Sequence, residues 1–241
     1  MALLELTGVS KSFGGVRAVS GLSFAVPEGT IVGLIGPNGS GKTTVFNLIS
    51  GMLRLDRGAL TFAGESLIDR RPHEICHRGI GRTFQIVQPF NSLTVMENVR
   101  VGAFRTIADP DRAAREAGAV LDLVGLAHKR DALPTSLTIA DRKRLELARA
   151  LATRPRLLLL DEVMAGLRPA ETLEMIELAR RIHAGGVTLL VIEHVMRAIM
   201  SLSHRIVVLH HGEKIAEGTP REVSSDPHVI GAYLGEEYRP A

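Results

Sequence analysis

The sequence predicts an α/β fold built on a mainly parallel sheet, and three observations predict it. First, Thr30-Ile31-Val32-Gly33-Leu34-Ile35 is a short, apolar, β-branched run; a glycine-rich loop follows it, then apolar residues at helical spacing that stop at Gly51. Second, Leu157 to Leu160 and Val187 to Ile192 are apolar runs of strand length, closing on Asp161-Glu162 and Glu193-His194. Third, stretches with helical patterning separate these runs, so strands and helices alternate.

Taken in order, Leu3 to Val9 alternates loosely and reads as a strand. Lys11-Ser12-Phe13-Gly14-Gly15 reads as a turn, and Val16 to Val26 as a second strand region closed by Pro27-Glu28-Gly29. Phe13 on its own suits a small-core anchor or a stacking surface for a base. Beyond the glycine loop and its helix, Gly58 to Leu67 reads as strand and turn, and Ile80 to Gln85 as a short strand ending in glutamine. Thr94 to about Thr106 and Arg112 to Val124 carry helical patterning. Leu137 to Ala152 is amphipathic, with Leu145, Ala148, Leu151 and Ala152 on one face. Arg142, Lys143, Arg144 and Arg149 take its polar positions, which predicts a solvated basic face.

The four leucines before Asp161 predict a strand buried on both faces. Glu171 to Ala184 is helical and stops at Gly185-Gly186; Arg205 to Leu209 and Gly212 to Gly218 read as a closing hairpin, and Val229 to Leu234 as a short last helix. In parallel sheets ligands bind beyond the carboxyl ends of the strands, where Gly36, Asp161 and His194 fall. The stretch from Gln88 to Leu151 is largely helical between core strands. The expected division is therefore one domain, with residues 1–87 and 152–241 as its core and 88–151 as an inserted helical subdomain.

Composition narrows the function. Of 241 residues, 45% are hydrophobic and 23% charged, which is ordinary for a globular protein. No apolar run approaches the roughly 18 residues of a membrane span. Met1-Ala2-Leu3-Leu4-Glu5 has no basic region ahead of an apolar core, so no signal peptide is expected. The single cysteine, Cys76, excludes an internal disulfide framework and suits a reducing compartment. Net charge is only +3, aromatic content is 4% and there is no long basic run, so nucleic acid is not an expected partner.

Gly36-Pro37-Asn38-Gly39-Ser40-Gly41-Lys42-Thr43-Thr44 fits G-x-x-x-x-G-K-[ST] between a strand and a helix, the context that gives the motif its meaning. Glycines let the backbone curl so that consecutive N–H groups point at phosphates, and the helix start adds its positive end. Lys42 reaches the β- and γ-phosphates, and the Thr43 hydroxyl suits Mg²⁺. Asp161 and Glu162 divide the remaining work. An aspartate at a strand end can hold Mg²⁺; the next residue along a strand points the other way, so Glu162 can face the attacking water as general base.

With these residues in place, the chain resembles the ATP-binding subunit of an ABC transporter over nearly its whole length. Gly36 to Thr44 is similar to Walker A, and Leu157 to Glu162 to Walker B with its catalytic glutamate. Gln85 resembles the Q-loop glutamine, and His194 the switch histidine that meets the γ-phosphate. Phe13 sits where the family places its adenine-stacking aromatic. Leu137-Thr138-Ile139-Ala140-Asp141 stands in the place of the L-S-G-G-Q signature, with Ile139 and Ala140 for the glycines and Asp141 for the glutamine. Thr138 to Asp141 also fits a capping box. Ala165-Gly166-Leu167-Arg168 resembles the D-loop, with Arg168 where an aspartate or asparagine is usual.

The resemblance implies a P-loop NTPase core, an N-terminal antiparallel β-subdomain and an inserted helical subdomain. It implies ATP and Mg²⁺ as cofactors. Thr43, Gln85 and Asp161 are then the metal-side residues, Glu162, His194 and Gln85 the catalytic ones, and Thr138, Ala140 and Asp141 face a second subunit's nucleotide. Implied partners are a second copy or a paralogous ATPase, membrane permeases that dock near Val87, Phe90 and Leu93, and indirectly a substrate-binding protein. The implied location is peripheral, at the cytoplasmic face of the plasma membrane. Arg-Thr-Phe-Gln, Asp161 to Leu167, Ile192-Glu193-His194, Glu217 to Pro220 and Tyr233-Leu234-Gly235 look most like the branched-chain amino-acid uptake subfamily, some of whose relatives import urea or short amides. A soluble ABC-type ATPase acting on ribosomes or DNA is the alternative. Such proteins usually carry fused ATPase halves or a coiled-coil insertion, whereas this chain has one motif set and no sustained heptads. A P-loop kinase would leave Gln85, the signature-like helix and His194 without a role.

Overall fold

The structure is a computed structural model that describes residues 2–234, so Met1 and Gly235, named above, lie outside it. In chain order its elements are β1 (Ala2–Phe13), β2 (Val16–Pro27), β3 (Ile31–Ile35), α1 (Lys42–Ile49), β4 (Arg57–Phe62), β5 (Glu65–Ser66), α2 (Pro72–Arg78) and β6 (Ile80–Arg82). Next come α3 (Val95–Ala103), α4 (Pro110–Val124), α5 (Ile139–Ala152), β7 (Leu157–Asp161) and α6 (Pro169–Ala184). The chain continues through β8 (Thr188–Ile192), α7 (Met196–Leu202), β9 (Arg205–His210), β10 (Glu213–Gly218), α8 (Pro220–Ser224) and α9 (Pro227–Leu234). These elements form two compact units: residues up to Ile75 with those from Thr188 on, and Cys76–Val187.

The first unit holds two strand systems. An antiparallel sheet runs β2-β1-β4-β5, and its register sets Leu4 opposite Val26 and Phe62, and Leu6 opposite Phe24 and Leu60. All six side chains are buried, which is what period-2 alternation on a one-sided sheet requires. β1 continues through Phe13, pairing Phe13 with Val16, so the expected five-residue turn shrinks to Gly14-Gly15. Asp56 extends the strand by accepting from Lys11 Nζ and from the Ser12 N–H, each at 2.7 Å. The second system runs β10-β9-β3-β8. β3 is parallel to β8 and β9, β10 is antiparallel to β9, and β3 and β8 are buried along their whole length. A strand buried on both faces has no polar positions, which is why Ile31 to Ile35 and Leu189 to Ile192 read as unbroken apolar runs.

In the second unit β6 and β7 pair in parallel, with Ile80, Gly81 and Arg82 opposite Leu157, Leu158 and Leu159. The four leucines of β7 are fully buried. Helices α3, α4 and α5 pack on one another, and Val95, Val99, Ala103, Ala117, Leu121, Leu145 and Ala148 on them are buried. The approach is close at Gly102, where a Cβ would meet the Arg149 carbonyl oxygen. Buried Asn98 staples the segment ahead of α3: its amide nitrogen donates to the carbonyls of Phe90, Leu93 and Thr94, and its oxygen accepts from the Phe90 N–H. No helix among the described residues is long and apolar enough to cross a membrane.

Three further expectations change. The strand expected to end at Gln85 stops at Arg82, because Thr83 turns its hydroxyl onto the Asp161 N–H and closes the ladder. Glu162 lies past the end of β7 with φ 50, so a turn rather than strand alternation aims it. The basic face of α5 is not simply solvated. Lys143 is buried, and Arg149 bonds Glu146 and the Gln88 carbonyl and stacks 4.8 Å from the Phe90 ring centroid.

Candidate active site

In the first unit the loop from Gly36 to Gly41 is seated on backbone. A side chain at Gly36 would strike the Leu209 carbonyl, and one at Gly41, with φ 105, would strike the Ala18 carbonyl. The Ser40 carbonyl accepts from Gly212 N–H at 3.1 Å, and Gly212 in turn accepts from Ser20 N–H at 2.8 Å. β2, the β9–β10 turn and the loop are thereby one hydrogen-bonded unit. Ser40 is buried, while Asn38, Gly39 and Thr43 face solvent. The Lys42 ammonium folds over the loop and donates to the carbonyls of Gly36 (2.7 Å) and Pro37 (3.0 Å).

The start of α1 differs from the starts of α3, α5 and α8. Those carry capping boxes from Thr94, Thr138 and Thr219. Gly41 caps α1 with no side-chain acceptor, and the first turn holds no acidic residue. The positive end of the helix thus lies beside a lysine and a glycine backbone, a construction suited to an anion. Phe13 is 47% exposed at the end of β1, with the Lys11 ammonium 5.6 Å from its ring centroid, so it is a surface ring and not a core anchor. His194 is exposed in the bend between β8 and α7.

In the second unit the structure brings Gln85, Asp161 and Glu162 together. Gln85 Nε2 donates to Glu162 Oε2 at 2.7 Å. Asp161 is 3% exposed and pairs with Arg82 Nη2 at 2.9 Å. Burial pushes the Asp161 pKa up, against the pull of the Arg82 guanidinium. Thr138 and Asp141 form the expected capping box; the Thr138 hydroxyl meets the Asp141 carboxylate at 2.7 Å, and Lys129 Nζ joins it at 2.6 Å. Burial opposes the charge on Asp141. Lys129 and the Thr138 hydroxyl and N–H outweigh that cost, and its pKa lies below the ordinary 3.8. Ile139 and Ala140 open α5, and Ile139 is 65% exposed.

Sequence reasoning gave no site role to Arg82 or Lys143. Arg82 is the first residue of the Arg-Thr-Phe-Gln stretch and the last of the three-residue strand β6, too short to show a periodic pattern. Lys143 shares a helical stripe with buried Leu147 and Ala150, and that spacing is the signal that it points inward.

Residues 19–165 match the ABC transporter family model, and residues 213–239 match that of the branched-chain amino acid ATP-binding cassette transporters. The chain belongs to the ABC transporter family. The high-affinity branched-chain amino acid transport ATP-binding protein BraF of Pseudomonas aeruginosa is 40% identical over 97% of this chain and 98% of its own length. Among solved structures, a nucleotide-free ATP-binding cassette from an ABC transporter superposes with a TM-score of 0.89 at 32% identity, covering 98% of this chain and 100% of that one. The ADP conformation of an ATP-binding cassette of an ABC transporter superposes at 0.88 and 32%, covering 98% and 99%. The chain is thus an ATP-binding subunit of the ABC ATPase type, with ATP hydrolysis its expected activity.

Proposed function

We propose that this chain powers an importer of branched-chain or other hydrophobic amino acids, with urea and short amides as the other cargo class. The observation that carries the reading is the match of residues 213–239 to the branched-chain cassette model, on a chain similar to BraF from end to end. It works as a dimer with a copy of itself or a paralogous ATPase, bound to permease subunits at the cytoplasmic face of the membrane and served by a substrate-binding protein. Residues 1–87 and 152–241 act as the ATP-binding core and 88–151 as the helical subdomain that meets the permease. Of Val87, Phe90 and Leu93, Phe90 is 44% exposed and the other two half-buried, and the exposure of Phe90 supports a docking role for that segment.

The residues take the following roles. Gly36 to Thr44 wrap the phosphates through backbone N–H groups and the Lys42 ammonium, and Phe13 stacks the base. Glu162, held by Gln85, takes the proton of the attacking water, and His194 steadies the γ-phosphate. Thr138, Ala140 and Asp141 meet the second subunit's nucleotide at the start of α5. The Thr43 hydroxyl, the Asp161 carboxylate and the Gln85 amide oxygen are each hard oxygen donors of the kind Mg²⁺ takes, and are the residues that would hold it. When bound, Mg²⁺ supplies charge neutralisation on the β- and γ-oxygens.

The test is uptake in the source cell. Deleting the gene is expected to abolish uptake of radiolabelled leucine. The intact gene restores it, and a Lys42→Ala copy, lacking the ammonium that meets the phosphates, does not. Loss of urea uptake with normal leucine uptake selects the other cargo class. Unchanged uptake of both contradicts the transport reading.

A further inference from the structure

We propose that Lys143 is a positioning residue for catalysis, holding the turn that carries Glu162 and tying it to the start of α5; the proposal rests on the reading of Glu162 as general base.

Four observations converge. Lys143 is 8% exposed, so its ammonium has been taken out of water for a reason. It donates at 2.8 Å to the backbone carbonyl of Glu162. That residue is one of few outside glycine with positive φ, a conformation that persists only when its surroundings enforce it. The same carbonyl accepts from Ala165 N–H at 3.2 Å, closing the turn, while Gln85 holds the side-chain Oε2 at 2.7 Å. Backbone and side chain of Glu162 are thus held from two directions, by α5 and by the segment after β6. The charge of Lys143 is also felt at Asp161.

The location of Lys143 gives the contact a second consequence. It lies five positions after Thr138, on a helix whose start is fixed by the Thr138–Asp141 box and clamped by Lys129. A shift of α5 along or about its axis moves the ammonium and with it the Glu162 carbonyl. Under the roles proposed above, the start of α5 faces the second subunit's nucleotide, so Lys143 reports the state of one nucleotide to the base acting on the other.

The test compares purified full-length parental protein, Lys143→Met, Glu162→Gln and the double variant. Methionine fills the space of the lysine stem without the charge. Lys143→Met is expected to lower kcat by about 10- to 100-fold, the scale of a base displaced by a fraction of an ångström to an ångström. KM for ATP and affinity for a fluorescent ATP analogue stay within about two-fold, since no phosphate contact is lost. The double variant turns over no more slowly than Glu162→Gln alone, because Lys143 acts through that carboxylate. Amide exchange speeds up in the turn from Val163 to Gly166 and is unchanged in α3 and α4. If the methionine variant does not fold, Lys143→Leu, likewise without a donor, gives the same comparison. Parental kcat in the Lys143 variant, or an equal further loss on top of Glu162→Gln, overturns the role of Lys143 alone. Parental kcat in Glu162→Gln overturns the assignment of the base and this role with it.

Discussion

Arg82 and Asp161 show what burial does to single residues. Their side chains are 7% and 3% exposed, 2.9 Å apart and separated by 79 positions in the chain. Two desolvated charges contribute little net stability as a pair, but either one alone is costly. Arg82→Met is therefore expected to destabilise the fold by about 3–5 kcal/mol, because it strands the Asp161 carboxylate. A urea midpoint shift worth under about 1 kcal/mol would show that Asp161 finds another partner. The aspartate itself was legible in the sequence, since four leucines followed by acids announce a strand edge. Its arginine was not, because nothing local marks a partner so far away. Glu162 is similar: its identity stood out, but the positive φ that aims it depends on Lys143 and Ala165.

At the level of elements, legibility followed length and local closure. α4, α5 and α6 run 15, 14 and 16 residues, enough turns for apolar spacing to show. α2, α7 and α8, with 7, 7 and 5 residues, are too short to show a period and were not anticipated. The capping box at Thr138 could be read because both partners lie within one turn. Its clamp by Lys129 could not. The box also carries a pH dependence with a definite sign. The pKa of Asp141 is lowered in the fold from 3.8, so its contribution is complete above that value and is lost as pH falls through the lower folded one. Asp141→Asn should remove this acid-sensitive part. Thermal midpoints of parent and variant then differ at pH 6, by the equivalent of about 1 kcal/mol for a helix cap, and converge toward pH 3. A constant difference across that range would mean that the carboxylate charge is not what holds the start of α5.

On the scale of the whole molecule, the outline of the α/β fold and the phosphate loop were readable, because buried parallel strands are continuous apolar runs and the loop is contiguous in sequence. The antiparallel β2-β1-β4-β5 sheet came from the family resemblance rather than from patterning, since Leu3 to Val9 alternates only loosely. A glycine loop suited to an anion, a carboxylate pair braced by Arg82, Gln85 and Lys143, and membership of an ATPase family support ATP hydrolysis with Glu162 as base. The most direct measurement follows ATP binding and phosphate release in the same samples of parental protein and Glu162→Gln, a change that keeps size and hydrogen bonding but removes the base. ATP binding is expected to be undiminished, with hydrolysis reduced by about 10²–10⁴-fold. Phosphate release at the parental rate from the Glu162→Gln protein would contradict the role of Glu162 as base.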